Sequence, residues 1–191
     1  MDIFLPLLQL AQDEQIIVSV PTKILQDQIM ANEAKKIQEV FHISCQSIKG
    51  PGNYIKLDSF AETLHREGDN RLVNRYKMQL LVWLTETLTG DLDEIRQKYS
   101  FETYFEQIKH DGNLSEKSLY KDVDFWNRTY ENAKHSKLLI INHAYFLERV
   151  QDDKAFAAKK ILVFDEAQKL ILNLEQFSRR RVNVTQLVQK T

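Results

Sequence analysis

Three short segments of this chain are almost continuously apolar: QIIVSV at 15–20, KLLIINH at 137–143 and KILVFDE at 160–166. Apolar character that continues over four or more residues is typical of strands buried on both faces, as in a parallel sheet. We therefore predict a strand in each segment. HISCQSIK at 42–49 has weaker strand character, and we predict a further strand there.

Amphipathic helices are predicted around these strands. Apolar residues recur every three or four positions at 3–12 and 23–39, and Thr22 can cap the second of these helices. A helix at 144–152 separates the last two strands. Strand, helix and strand in succession are typical of a parallel sheet, so the predicted fold class is α/β.

The stretch from 49 to 136 has a different character and is mainly helical in pattern. In RLVNRYKMQLLVWLTETL, apolar residues fall near one helix face. They are Leu72, Tyr76, Leu80, Trp83, Leu84 and Leu88. We predict an α/β unit at 1–48 and 137–174, interrupted by a helical insertion at 49–136 of about eighty residues. Residues 175–191 are predicted to begin a second insertion.

Composition limits the chemistry of this chain. It has 191 residues with a net charge of −1, so a nucleic-acid surface would have to be a local patch. Cys45 is the single cysteine, which excludes a disulfide framework, a thiolate zinc site and a four-cysteine iron–sulfur cluster within one chain. One cysteine also fits a reducing cytoplasm, and the apolar N-terminus is too short to span a membrane.

Two adjacent carboxylates, Asp165 and Glu166, follow the last apolar run. Ligands of open α/β sheets bind outside the carboxyl ends of the strands. Hydrated Mg²⁺ prefers one or two carboxylates together with substrate phosphates, which makes a Mg²⁺–nucleotide site one interpretation. The alternative is that both acids begin a helix and interact favourably with its dipole.

Four motifs occur in the order typical of one family. SVPTKILQDQI (19–29) resembles motif Ia of the DinG/XPD group, and KGPGNYIKL (49–57) resembles its Lys-Gly-x-x-Asn-Tyr signature. LLIINHAYFL (138–147) resembles the Asn-His segment before the acidic box, and ILVFDEAQ (161–168) resembles the Walker B or DEAH box of superfamily 2 helicases. On these motifs the chain is identified as a segment of a DinG-like helicase, with part of a RecA-like motor domain.

The resemblance implies ATP and Mg²⁺ as cofactors. Asp165 would bind the metal, Glu166 would bind it too and activate the attacking water, and Gln168 stands where the box usually has histidine. The P-loop, the second motor domain and its arginine finger would belong to the remainder of the protein, so we expect the isolated segment to be inactive. Lys56 stands where the family's first cluster cysteine lies, so no iron–sulfur cluster is expected.

Single-stranded DNA is the partner that the resemblance implies, and no membrane partner is expected. The candidate DNA contacts are Thr22, Gln26, Lys49, Asn53, Tyr54, Asn142 and His143. Each also has a structural interpretation. Capping of its helix could be the sole role of Thr22. Tyr54 could pack in a turn, and Asn142 and His143 could be structural hydrogen-bonding residues.

The function predicted from the sequence is part of an ATP-dependent DNA helicase of the DinG family, which couples ATP hydrolysis to translocation on single-stranded DNA in repair or replication. One alternative is the DNA-handling part of a DinG-type exonuclease without a cluster. A second is a plain single-strand-binding module.

Overall fold

The structure is a computed structural model that describes residues 4–11, 13–95, 101–113, 115–153 and 155–178. The chain divides into two compact units, each described here by itself. Unit 1 consists of the described residues up to Cys45 and from Lys137 onward, and unit 2 consists of Gln46–Ser136. Their identification as a RecA-like motor domain and an insertion in the position of the family's iron–sulfur domain remains a prediction.

A four-stranded sheet forms the centre of unit 1. Its strands are β1 (Gln15–Val20), β2 (Cys45–Ser47), β3 (Leu138–Asn142) and β4 (Lys160–Phe164), arranged in the order β2-β3-β1-β4. Of β2, only Cys45 belongs to unit 1. β1 pairs in parallel with both β3 and β4. The α/β class predicted from the apolar runs is therefore confirmed.

Helices of unit 1 connect and cover these strands. They are α1 (Phe4–Leu10), α2 (Lys23–Ile29), α3 (Lys35–Phe41), α8 (His143–Asp152) and α9 (Ala167–Ser178). A π-helical turn at Met30–Ala34 joins α2 to α3, where the sequence pattern predicted one uninterrupted helix. The core cluster includes alternate apolar residues of β1 and β3, which pack with Ala34 and Ile37.

Unit 2 is helical around an aromatic core. It contains α4 (Leu57–Leu64), α5 (Arg71–Glu86), α6 (Glu102–Ile108) and α7 (Phe125–His135), with short 3₁₀ turns at Pro51–Asn53 and Leu92–Glu94. The buried core residues include Tyr54, Phe60, Tyr76, Leu80, Tyr104 and Phe105. Tyr76 stacks on Phe101 with ring centroids 4.3 Å apart. These rings therefore serve as core side chains.

Two predicted members of the apolar face of α5 do not lie in the core. Tyr76 and Leu80 are buried, but Leu72 is 64% exposed and Leu88 is 84% exposed. Leu72 lies in the first turn of α5, and Leu88 follows the end of the helix at Glu86. Helical periodicity placed both residues on the apolar face. They lie at the start of the helix and beyond its end, outside the part of that face that is buried.

Two further predictions differ from the structure. The strand predicted at 42–49 is limited to Cys45–Ser47, because His42 ends α3 in a left-handed conformation with φ of 53°. β4 is half-buried and lies at the edge of the described sheet, although its apolar run predicted burial on both faces. Residue 175, where a second insertion is predicted to begin, lies within α9, and residues 179–191 lie outside the described residues, so that insertion stays a prediction.

No helix among the described residues is long and apolar enough to cross a membrane.

Gly90 provides a test of packing in unit 2. Its φ is 67°, and a Cβ placed on it would lie 2.3 Å from Cγ of Phe125. Gly90→Ala therefore introduces both backbone strain and a steric clash with a buried ring. We expect it to lower the free energy of unfolding by about 1–3 kcal/mol, as overpacking does. Chemical denaturation measures this difference.

Gly68 is the matched control for this substitution. Its φ of 91° carries the same kind of strain, but a Cβ there would meet nothing within 4 Å. Gly68→Ala should therefore be the milder change. Equal losses for the two variants would contradict a packing role for Gly90.

Candidate functional site

The carboxyl ends of β1, β3 and β4 meet at one edge of the sheet. Val20 is in register with Asn142, and Ser19 is in register with Phe164. One residue beyond β4, the backbone N–H of Asp165 donates to the carbonyl of Ser19 at 2.9 Å. The residues that follow these three strands are therefore neighbours, as expected for the ligand-binding edge of an open parallel sheet.

The two carboxylates of the acidic doublet lie at this edge in different settings. Asp165 is exposed, and no described residue forms an ion pair with its carboxylate. Glu166 is half-buried, and its carboxylate pairs with Lys169 Nζ at 2.6 Å. Gln168 lies in the first turn of α9 and is exposed. All three side chains are thus at the surface of unit 1, beyond the end of β4.

Glu166 has an unusual backbone conformation. Its φ is 48°, in the left-handed region that non-glycine residues seldom adopt. This conformation turns the chain from β4 into α9 within two residues. Backbone strain of this kind costs about 1–3 kcal/mol and persists where the surrounding structure imposes it, as it does at many functional sites.

The donor set at this edge is compatible with Mg²⁺ held jointly with a phosphate ligand. Among the described residues, no group of three His, Cys, Asp or Glu side chains gathers into a metal site. Mg²⁺ does not require such a cage, since it binds through one or two carboxylates, water and phosphate oxygens. An exposed Asp165 carboxylate fits this requirement, and Glu166 is adjacent to it.

His143 connects the ends of the three strands. Its Nδ1 lies 2.8 Å from Ser19 Oγ, and its Nε2 lies 2.9 Å from the carbonyl oxygen of Asp165. The ring is fully buried, with 0% exposure of the residue. Burial lowers the pKa of His143 below its ordinary value, although the nearby carbonyls and carboxylates of Asp165 and Glu166 oppose this.

A second network lies behind this edge. Gln26 is fully buried, and its Nε2 donates to the carbonyl of Ile140 at 3.1 Å. Its Oε1 accepts from Asn142 Nδ2 at 3.1 Å, while Asn142 Oδ1 caps α8 by accepting from the N–H of Tyr145 at 3.0 Å. Thr22 is exposed, and its Oγ1 caps α2 by accepting from the N–H of Leu25 at 3.2 Å.

The structure therefore brings five of the predicted residues of unit 1 to the carboxyl ends of the strands. They are Thr22, Asn142, His143, Asp165 and Glu166, and Gln26 and Gln168 lie on the helices that follow. Only Thr22 among the four predicted DNA contacts of this unit is exposed, whereas Gln26, Asn142 and His143 are buried. Their side chains are engaged with other protein groups, which gives each a structural role. A direct DNA contact by any of the four remains a prediction.

The remaining three predicted DNA contacts belong to unit 2. Lys49 is 3% exposed and its Nζ lies 2.5 Å from Asp91 Oδ2. Tyr54 is buried, and its hydroxyl accepts from the backbone N–H of Lys49 at 3.1 Å. The side chain of Asn53 donates to the carbonyl of Gly50 at 3.0 Å. These contacts hold the KGPGNY turn together, and a role in DNA binding remains a prediction.

Sequence reasoning did not identify three features of these sites. The apolar pattern presents Ser19 only as one residue of a strand, and its position directly before the strand end is the available signal. Asp91 gave no signal as the partner of Lys49, because 42 residues separate them. The left-handed conformation of Glu166 had no signal in the sequence, since glycine would ordinarily mark it.

The strain at Glu166 leads to a stability prediction. Glycine adopts a positive φ without a Cβ penalty, so Glu166→Gly should be more stable than Glu166→Ala by about 1 kcal/mol. Denaturant unfolding of the two variants measures the difference.

Glu131 is the control, because it is exposed within α7. There the order should reverse, with alanine more stable than glycine by about 1 kcal/mol. If alanine is more stable than glycine at both positions, Glu166 is not strained.

Comparisons with known proteins support the resemblance seen in the motifs. No family model matches the chain. The chain is 31% identical over 159 residues to a protein of Staphylococcus saprophyticus named 3'-5' exonuclease DinG, and the match covers 82% of this chain. Proteins of the same name from Staphylococcus haemolyticus and Staphylococcus aureus strain USA300 are each 30% identical, over 164 and 159 residues.

The matched region is a small part of these relatives. The chain spans 17% of the length of each of the three. The predicted relationship to DinG proteins is confirmed, and the matched length is consistent with a segment of a longer protein.

Proposed function

We propose, on the premise that this chain is homologous to a segment of the DinG proteins, that it contributes the acidic box of an ATP-dependent DNA helicase. The observation that carries the proposal is the position of Asp165 and Glu166. Both follow the carboxyl end of a parallel strand, at the edge where β1 and β3 also end. Ligands of open α/β sheets bind at this edge, which supports a nucleotide there.

Each residue of the box has a proposed role. Bound with ATP, Mg²⁺ would neutralise the charge that develops on the phosphates. Asp165 would hold the metal through its exposed carboxylate. Glu166, which would also face the metal, would orient and deprotonate the attacking water. Gln168 would hydrogen-bond near the nucleotide and report its state. The phosphate-binding loop and the second motor domain would come from the rest of the parent protein.

Single-stranded DNA is the proposed polymer substrate. Thr22 has an exposed hydroxyl at the start of α2, where it could contact a backbone phosphate. Gln26 and Asn142 would act from behind it, through the hydrogen bonds that join α2, β3 and α8. His143 would act through its contact with Ser19 on β1. Lys49, Asn53 and Tyr54 remain candidate contacts in unit 2. The proposed location is the cytoplasm, and no iron–sulfur cluster is proposed.

A second candidate function is the DNA-handling part of an exonuclease. The name of the relatives, 3'-5' exonuclease DinG, supports this candidate. In such a protein the acidic box would bind nucleotide and regulate DNA handling, while a separate active site elsewhere in the parent protein would cleave the DNA.

The experiment uses the complete parent protein. Phosphate release from ATP is measured in the presence of Mg²⁺, with and without a single-stranded oligonucleotide. Separation of a partial duplex and release of mononucleotides from DNA are measured in parallel. A helicase should hydrolyse ATP faster with the oligonucleotide and separate the duplex. Nucleotide release without duplex separation would favour the exonuclease. Absence of Mg²⁺-dependent ATP hydrolysis and of ATP binding would refute a nucleotide site.

A further inference from the structure

We propose that His143 is a positioning residue for the acidic box, holding the Asp165–Glu166 peptide in the geometry that catalysis requires. The inference rests on the proposed function, and it assigns His143 a role other than DNA contact. The evidence is the pair of contacts made by its ring, the burial of that ring, and the conformation of Glu166.

The partners of His143 determine its tautomer. A backbone carbonyl can only accept a hydrogen bond, so Nε2 must carry the proton that it donates to Asp165. With Nε2–H satisfied in this way, the neutral ring leaves Nδ1 as an acceptor for the hydroxyl of Ser19. Both ring nitrogens of a fully buried side chain are therefore paired, and the ring has one orientation.

These contacts hold Asp165 on both sides. Its N–H donates to the carbonyl of Ser19 on β1, and its carbonyl accepts from His143 at the start of α8. The second bond acts on the peptide that joins Asp165 to Glu166. The orientation of that peptide sets the direction in which the Glu166 side chain projects from the backbone.

The left-handed conformation of Glu166 explains why such a clamp is needed. A non-glycine residue with φ of 48° tends to relax unless its neighbours prevent it. The ion pair with Lys169 is half-exposed and contributes little to holding the backbone. The hydrogen bond from His143 comes from a fully buried ring, is itself partly buried and acts on the adjacent peptide, so it is the stronger restraint.

Two substitutions separate the two ring contacts. In His143→Gln the amide nitrogen reaches about as far as Nε2 and can still donate to the Asp165 carbonyl. In His143→Asn the shorter side chain reaches only as far as Nδ1, so it can keep the Ser19 contact but loses Asp165. Ser19→Ala removes the hydroxyl that orients the ring, and Ser136→Ala, at another buried serine, is its control.

The test measures kcat, KM for ATP and the Mg²⁺ dependence of hydrolysis in the complete parent protein, with thermal melts to record folding. We expect His143→Asn to lower kcat about 10–100-fold at nearly unchanged KM for ATP and to need more Mg²⁺, as loss of a residue supporting metal ligands does. His143→Gln should restore kcat to within a few-fold of wild type, and Ser19→Ala should lie between them. Ser136→Ala should match wild type.

Specific outcomes would overturn the inference. A folded His143→Asn variant with wild-type kcat and Mg²⁺ dependence would refute a positioning role. Equal losses of kcat in His143→Asn and His143→Gln, explained entirely by the fraction of unfolded protein, would refute it too. These results leave the proposed function intact, provided that Glu166→Gln is inactive. If the wild-type parent shows no Mg²⁺-dependent hydrolysis, the proposed function and this inference both fail.

Discussion

Glu166→Gln in the complete parent protein is expected to reduce ATP hydrolysis by about 10²–10⁴-fold, the range that a general base contributes. The substitution keeps the size of the side chain and removes the carboxylate that would accept a proton from the attacking water. Nucleotide binding should be retained, because Asp165 and the phosphate-binding parts of the protein are unchanged. Steady-state phosphate release and equilibrium binding of a fluorescent ATP analogue measure the two effects.

Glu14→Gln is the matched control. Glu14 belongs to another Asp-Glu doublet, but it precedes β1 and is exposed at the opposite end of the strands. Its substitution should leave hydrolysis unchanged. If Glu166→Gln hydrolyses ATP at the wild-type rate, Glu166 is not the base, and if both variants lose activity equally, the loss is not specific to the box.

Lys49→Met is expected to lower the free energy of unfolding by about 3–5 kcal/mol, the cost of leaving one member of a buried ion pair without its partner. The side chains of Lys49 and Asp91 are 4% and 12% exposed, and Nζ lies 2.5 Å from Oδ2. Methionine fills a similar volume without charge, so the Asp91 carboxylate would remain buried and uncompensated. Denaturant unfolding at neutral pH measures the loss.

The pH dependence of this variant provides a second readout. Burial raises the pKa of Asp91 above its ordinary value of 3.8, and the hydrogen bond and charge of Lys49 lower it. Without Lys49 the pKa in the folded protein rises further. The folded state then binds more protons than the unfolded state, so stability falls as pH rises from about 3.8 through the folded pKa. The penalty of Lys49→Met should therefore shrink on acidification.

Lys134→Met is the control for the lost charge. Lys134 pairs with Glu131 on α7 at 2.7 Å, but both side chains are about half exposed. Its removal should cost no more than about 1 kcal/mol. If Lys49→Met is as mild, and instead weakens oligonucleotide binding with a smaller salt dependence, then Lys49 contacts DNA and its buried pair is not structural.

The strand predictions show how far the apolar pattern extends. β1 coincides with the predicted segment 15–20, because five of its six residues are buried. The weaker segment at 42–49 contains only three strand residues. β4 was predicted correctly as a strand within 160–166, but it ends at Phe164, and its apolar run did not predict its place at the edge of the described sheet. Local pattern reports strand propensity and does not report which neighbours pair.

The candidate site shows a similar division. The spacing of the acidic doublet after an apolar run predicted its place at a strand end, and four ordered motifs predicted the relationship to DinG proteins. The sequence pattern did not distinguish side chains that face solvent from those that are buried and hydrogen-bonded within the protein. Thr22 and Gln26 lie four residues apart near the start of the same helix, yet the first is exposed and the second is fully buried.

By itself the sequence determined the α/β class, the place of the acidic doublet after a strand and the family relationship, since each depends on residues that are close together in the chain. The tertiary structure alone decided that His143 contacts Ser19 and the Asp165 carbonyl, and that Lys49 pairs with Asp91. These partners are separated by 124, 22 and 42 residues. No local pattern encodes such contacts, because they form only when the strands and helices pack together.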